Sequence, residues 1–263
     1  MSLIDTPYFC VVPWIHFFSH TNGTIQACCM SDITNNNFGN IKSNIKDIWN
    51  SDTYINFRKT ILSGNRYKIC EPCYKQEELG NDSQRNLLNM YYLNPKLEEY
   101  INNHMDGICD TIDIKFLDIR FSNKCNFKCR MCAPRSSSRW NNGIIFDGIT
   151  DINKWFNENV ECLKNLELIY IAGGEPFITD QHYELLECCI DHKIFPTIFY
   201  QTNGSVIKYK NWNIKELWKS FNIKYNVSID AIGGLGEYIR TGYKDDVVNS
   251  NINTIKKYFN SIN

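Results

Sequence analysis

No apolar run in this 263-residue chain approaches the ~18–20 residues that a membrane-crossing helix needs. The opening segment, Met1 to Pro7, has no basic stretch leading into an apolar one, so no signal peptide is read. Both absences lead to the expectation of a cytoplasmic protein, where disulfides are rare. Charge of one sign is missing too. Lys and Arg total 28 against 29 Asp and Glu, for a net charge of −1. No overall basic field therefore points to nucleic acid. What is present is a 43% hydrophobic content with 14% aromatics, enough for a real core. The length suits one large domain, or one medium and one small domain.

Twelve cysteines in a reducing compartment point to metal or catalysis. Three of them, Cys125, Cys129 and Cys132, follow the spacing C-x3-C-x2-C. Three thiolates can hold three irons of a cubane [4Fe–4S] cluster and leave the fourth iron open. A cluster that only carries electrons normally has four cysteine ligands. An open metal position is where a substrate or cofactor binds, as at catalytic zinc. Structural zinc would need a fourth ligand, and none lies nearby in sequence. Cys109, Cys162, Cys188 and Cys189 read as small hydrophobes; Cys162 and Cys189 lie near apolar helix faces.

From residue 110 onward, strand and helix patterns alternate. Ile112 to Phe121, Leu166 to Ala172, Thr197 to Gln201 and Tyr225 to Ile229 read as strands. Helices are expected around Ile152 to Leu163 with Thr150 or Asp151 as N-cap, around Tyr183 to Ile190, around Ile214 to Phe221 and around Val248 to Ile262. Four βα units predict a parallel sheet whose right-handed crossovers curl it toward a barrel. In such folds the site lies at the C-terminal strand ends. The triplet, Gly173-Gly174-Glu175-Pro176, Thr202-Asn203-Gly204 and Ser228-Ile229-Asp230 all fall at that rim.

Taken in order, these motifs resemble the radical S-adenosylmethionine (SAM) enzymes over about residues 110 to 263. The resemblance implies that Cys125, Cys129 and Cys132 ligate the cluster and that SAM chelates its open iron. Met131 matches the apolar position near the adenine. Gly173, Gly174 and Glu175 would offer backbone groups to the SAM amino group, with the glycines permitting close approach. Asn203, Ser228 and Asp230 are candidates for ribose and methionyl contacts. Arg240 would pair with the SAM carboxylate through its guanidinium fork. Glu175, Asp230 and Arg240 also have plain readings, as turn, cap and surface residues. Arg120, Arg130 and Arg135 flank the cluster, either to meet an anion or to tune the cluster, or as a solvated basic rim.

The first eighty residues hold Cys10, Cys28, Cys29, Cys70 and Cys73, and Asn22-Gly23 reads as a hairpin turn. With Pro13-Trp14 and the Gly39-Asn40-Ile41 to Ile48-Trp49 stretch, they resemble the SPASM or twitch module. That likeness implies a second, auxiliary [4Fe–4S] cluster on Cys10, Cys28, Cys70 and Cys73. Cys29 is the alternative to Cys28, and tetrahedral zinc the alternative metal. His16 and His20 read as plain hairpin residues. The module ordinarily follows the barrel, and here it precedes it.

The expected architecture is therefore α/β. It comprises a cysteine-rich α+β module (1–82), a helical connector broken near Asn94-Pro95 (83–109), and a partial TIM-like (βα) barrel (110–263). Radical SAM cores commonly have six βα units and only four are read here. The chain is expected to be a fragment, the alternative being a short core whose sheet edge needs a partner. The expected function is reductive cleavage of SAM to a 5′-deoxyadenosyl radical that abstracts a substrate hydrogen, with a peptide or protein as one substrate class. An electron donor such as a flavodoxin or ferredoxin is implied, without nucleic acid or membrane. The alternatives are a non-catalytic iron–sulfur electron-transfer or binding protein, an inactive fragment, and a zinc-stabilised interaction module on a degenerate barrel.

Overall fold

Short apolar strands separated by amphipathic helices can pair in parallel only if each helix crosses over the sheet. The protein, described here by a computed structural model covering residues 3–32 and 37–262, does this. Its strands are β1 His16–Ser19, β2 Thr24–Gln26, β3 Gly39–Asn40, β4 Phe116–Ile119, β5 Lys128–Cys129, β6 Leu168–Ile171, β7 Thr197–Thr202, β8 Asn222–Val227 and β9 Arg240–Thr241. Its helices are α1 Val12–Ile15, α2 Ile45–Trp49, α3 Asp52–Leu62, α4 Glu71–Glu78, α5 Gln84–Tyr92, α6 Pro95–Asn103, α7 Ile152–Leu163, α8 Asp180–Asp191, α9 Ile214–Trp218, α10 Gly233–Ile239 and α11 Asp245–Ile262. None among the described residues is long and apolar enough to cross a membrane.

Seven strands form one sheet in the order β3-β2-β1-β4-β6-β7-β8. From β1 through β4, β6, β7 and β8 the pairing is parallel. This matches the expected succession of βα units. The sheet stays open between β3 and β8 among the described residues. The N-terminal hairpin is not a separate sheet. Its first strand pairs with β4 in register Phe17↔Leu117, which joins the cysteine-rich module edge-on to the core.

Alternation along the strands sorts the two faces. Phe17, Leu117, Ile169 and Ile198 share one register row and are fully buried. The α7 and α8 helices supply apolar residues to the same core, among them Trp155, Phe156, Leu163, Tyr183 and Leu186. Burying a side chain of this kind contributes about 1.5–3 kcal/mol. The opposite row runs Phe18, Asp118, Tyr170, Phe199, Lys224.

Caps set the helix starts. Asp151, and not Thr150, caps α7 by accepting from Lys154 N at 2.9 Å. Asn94 caps α6, with Pro95 in the first turn where its missing N–H costs nothing.

Several boundaries differ from the sequence expectation. The sequence places Trp14 to Ser19 in the first hairpin strand, but Trp14 and Ile15 belong to α1, with Pro13 in its first turn, and the strand starts at His16. Residues 112–115 lead into β4 without joining it. The strand expected from Tyr225 to Ile229 is β8, which runs from Asn222 to Val227 at the sheet edge: Ile223, Tyr225 and Val227 alternate with the exposed Asn222, Lys224 and Asn226. Helix α9 ends at Trp218, so Phe221 packs on the core from a loop. Helix α10 was not anticipated; its Gly233-Gly234 start gives weak helix propensity.

Candidate metal and cofactor site

The three clustered cysteines sit on the loop that leaves the C-terminal end of β4. Cys129 lies on the two-residue strand β5, paired antiparallel with β9, so that Cys129 faces Arg240. Cys132 closes a tight turn by donating from N to Cys129 O at 3.0 Å. Burial raises the pKa of all three thiols and lifts Cys125 to about 12, with smaller additions from Cys129 and Cys132 at Cys125 and from Cys132 at Cys129. At Cys129 the Arg240 guanidinium opposes that rise. Under the loop, Phe127, Cys129, Tyr243 and Val248 form a small core of their own.

A ring of hydrogen bonds fixes this loop. Ser137 Oγ donates to Phe127 O at 2.8 Å, and Asn123 Nδ2 donates to Pro134 O at 2.9 Å. Trp140 Nε1 donates to Cys129 O at 2.7 Å. Asn126 Nδ2 donates to Ser205 Oγ, and Asn203 Nδ2 donates to Asn126 Oδ1, both at 2.8 Å. The turn after β7 is thus tied directly to the cysteine loop. Asn126, Ser205 and Trp140 escaped the sequence reading because single polar or aromatic residues in loops carry no periodic signal.

The Gly-Gly-Glu-Pro turn after β6 fits against the same loop. Gly173 and Gly174 have φ of +78° and +43°. A Cβ on Gly174 would sit 2.3 Å from Lys124 O and 2.8 Å from Ser122 O. Glu175 N donates to Lys124 O at 2.8 Å. Gly174 therefore lets two backbones touch, and Gly173 leaves room for the Arg120 and Thr21 side chains. The Glu175 carboxylate is buried and already occupied. It accepts from Thr202 Oγ1 at 2.7 Å, Asn203 N at 2.8 Å and Phe177 N at 3.2 Å. Burial nevertheless pushes its pKa up to about 7.

The remaining cofactor candidates lie on the same rim. Ser228 follows β8, and its Oγ accepts from Gln201 Nε2 at 2.6 Å. Arg240 Nε donates to Asp230 Oδ2 at 2.5 Å, so two residues read separately as SAM contacts form one ion pair. Arg240 Nη1 lies 3.8 Å from Cys129 Sγ. Met131 is 58% exposed beside the cysteines, where an apolar ring could cover it.

At the N-terminal end, Cys10, Cys28, Cys70 and Cys73 line one cavity, together with Val12, Ala27 and Phe57. Cys29 is absent from it and lies instead against Asp118. Burial lifts the Cys10 and Cys28 thiols to about 12, and raises Cys70 and Cys73 as well. Metal binding there must displace protons. The connector does more than connect. On α5, Arg85 Nη1 donates to Phe9 O at 2.6 Å, and Asn89 donates to Phe9 O and accepts from Val11 N, bracketing Cys10. Cys109, Cys162, Cys188 and Cys189 are buried, as small hydrophobes would be.

Among the described residues no three His, Cys, Asp or Glu groups converge to hold a single ion. The thiol-only donor sets, three on one loop and four around one cavity, suit clusters whose thiolates bind separate irons.

Comparison with known proteins agrees. Residues 119–263 match the Radical SAM superfamily, and residues 10–74 match SPASM, an iron–sulfur cluster-binding domain. Curated relatives include GTP 3',8-cyclase of Campylobacter lari, 24% identical over 120 residues, 45% of this chain and 35% of that protein. GTP 3',8-cyclase of Staphylococcus epidermidis is 29% identical over 126 residues, again 45% and 35%. The alignments thus span about a third of those relatives' length. Among solved structures, Streptococcus suis SuiB bound to precursor peptide SuiA is similar at 17% identity and a TM-score of 0.41. That match covers 79% of this chain and 48% of that one.

Proposed function

The chain belongs to the radical SAM superfamily, with a [4Fe–4S] cluster, SAM and an N-terminal iron–sulfur module as its cofactor setting, and from that premise we propose that it abstracts hydrogen from a peptide or protein substrate. The proposed assignment gives Cys125, Cys129 and Cys132 to the catalytic cluster and Cys10, Cys28, Cys70 and Cys73 to the auxiliary one. The bound cluster and SAM supply the reductive chemistry that yields the 5′-deoxyadenosyl radical, with the electron coming from a flavodoxin- or ferredoxin-type donor. The proposed division is an auxiliary module over 1–82, a connector over 83–109 and the core over 110–263.

One observation carries this reading most directly. The cysteine loop, the Gly173–Glu175 turn and the Asn203 turn are locked to one another by Glu175 N to Lys124 O and by Asn203 to Asn126. Such a framework preorganises a cofactor site before anything binds. Within it, Gly173 and Gly174 permit the close approach that holds the turn against the cysteine loop. Asn203, Ser228 and Met131 offer polar and apolar contacts to the nucleoside. Arg240 turns from Asp230 toward a ligand carboxylate, leaving Asp230 for a hydroxyl. The peptide substrate class is supported by the SPASM match, since enzymes that this module resembles commonly modify peptide side chains.

The test is anaerobic reconstitution with iron and sulfide, followed by iron counting and a 5′-deoxyadenosine assay with SAM and a chemical reductant. Two cubanes require about eight irons per chain. Replacing Cys125, Cys129 and Cys132 with Ala should abolish deoxyadenosine formation and remove one cluster's iron. A triple variant that cleaves SAM as well as the parent would overturn the assignment.

A further inference from the structure

Charge is segregated on the cysteine loop. Between Asp118 and Asp147 the sequence carries Arg120, Lys124, Lys128, Arg130, Arg135 and Arg139 and not one carboxylate, in a chain whose net charge is −1. Side chains alternate along a strand, so Cys129, turned in toward the other thiols, puts Lys128 and Arg130 on the outer face of the β5–β9 ribbon. Both cations are clamped there on aromatic rings that remain open to solvent. Lys128 Nζ lies 4.4 Å from the centroid of Trp140, which is 38% exposed. The Arg130 guanidinium lies 3.7 Å from the centroid of Tyr238, which is 59% exposed, and its Nε donates to Tyr238 O at 2.9 Å. Arg139 is exposed beside Trp140, and Leu235 is exposed one turn before Tyr238 on α10.

The nearby acids do not cancel this charge. Glu237 is paired with Lys244 at 2.8 Å, and Asp230 with Arg240. Preordered aromatic and arginine anchors are the residue types that dominate protein–protein binding energy. A basic face of this kind steers acidic partners. The face also stands one residue's thickness from the thiols, because the Trp140 indole is hydrogen-bonded to the carbonyl of Cys129 itself.

We infer that the outer face of the β5–β9 ribbon, built on Lys128, Arg130, Arg139, Trp140 and Tyr238, docks an acidic one-electron carrier protein of the flavin or iron–sulfur type. The inference rests on the redox function proposed above. One electron leaves the carrier's reduced cofactor, which is oxidised by one electron, and enters the cluster held by Cys125, Cys129 and Cys132, which is reduced by one. No covalent bond or proton moves in that step. Charge complementarity selects the acidic carrier, and the short path through Trp140 and Cys129 makes this face more than a sticky patch.

The experiment titrates oxidised flavodoxin into the reconstituted full chain and follows flavin fluorescence. It then measures cluster bleaching by reduced flavodoxin and, separately, by photoreduced deazaflavin. The charge reversal K128E/R130E/R139E should weaken flavodoxin binding by about tenfold or more and slow bleaching in proportion. Raising ionic strength should do the same to the parent. Bleaching by the small deazaflavin should not change. The control K59E/K96E/K154E carries the same net charge change away from the ribbon and should bind as the parent does. If the reversed variant fails to hold iron, K128Q/R130Q/R139Q keeps the side-chain bulk and should show an intermediate loss. Equal flavodoxin binding by parent and ribbon variants overturns the inference. So does self-association or oligonucleotide binding that the ribbon charges control without any carrier binding. Absence of deoxyadenosine with deazaflavin in the parent would instead strike the proposed function, since the binding titration is read independently.

Discussion

Gly174→Ala tests whether the cysteine loop depends on backbone contact with the glycine turn. The new Cβ would lie 2.3 Å from Lys124 O, 2.8 Å from Ser122 O and 3.0 Å from Asn123 C, all backbone atoms with no side-chain rotamer to yield. Its φ of +43° adds left-handed strain of roughly 1–2 kcal/mol for a non-glycine residue. Pushing the loop away also breaks the Glu175 N to Lys124 O bond, worth about 0.5–1.5 kcal/mol. Overpacking of the rigid contact adds about 1–3 kcal/mol. The total is on the order of 3–6 kcal/mol, a large share of the stability of an ordinary domain. Gly80→Ala is the control, because Gly80 has φ of +77° with nothing within 4 Å of its Cβ, so it feels only the strain. Urea unfolding of both apo variants and iron counting after reconstitution make the comparison. Gly174→Ala should unfold at much lower urea than Gly80→Ala and lose the iron of the triplet. Equal urea midpoints with full iron in both would refute the reasoning.

Cys28→Ala should lose auxiliary-site iron while Cys29→Ala retains it, because only Cys28 lines the cavity with Cys10, Cys70 and Cys73; iron counts on the two variants decide. Arg58 is fully buried, donates to Pro13 O, Trp49 O and Gly107 O, and lies over the Trp49 and Tyr54 rings. Arg58→Ala strands those carbonyls and should cost about 3–5 kcal/mol by denaturant melts, and an unchanged melt would count against its role as a tie between α3 and the connector. Glu175 has a folded pKa raised from its ordinary 4.5 to about 7, so the folded apo chain holds a proton that the unfolded chain has released. Its stabilising contribution is complete below about pH 4.5 and is lost as pH rises to about 7, by roughly 3 kcal/mol at 1.36 per unit. Glu175→Gln should flatten that part of the stability–pH curve, and a parallel curve would exclude Glu175 as the source.

The parts of this protein legible from sequence are those with a fixed local period or spacing. The C-x3-C-x2-C run, the Gly173-Gly174 turn and the apolar spacing of α7, α8 and α11 named the βα units and their shared rim. The cap at Thr150 or Asp151 and the break near Asn94-Pro95 were legible in the same way, because each acts on backbone groups within one turn. Edges were less legible: β8 alternates with exposed polar residues, and the apolar spacing of Ile214, Leu217, Trp218 and Phe221 runs past the end of α9 at Trp218.

The sequence alone thus determined the cysteine spacings, the glycine turn and the succession of parallel strands, since all of these depend on neighbours a few positions away. Tertiary structure decided everything that depends on residues far apart in the chain. It joined the N-terminal hairpin to β4 as one sheet, chose Cys28 over Cys29 for the cavity, and placed Arg85 and Asn89 around Cys10. It also paired Asp230 with Arg240, turned the Glu175 carboxylate inward, and set Lys128 and Arg130 on the aromatic rings outside the cysteine loop. The physical reason is range. Propensity and periodicity act within a turn or a pleat, whereas burial, ion pairing and backbone contact act between whichever segments the packed core brings together.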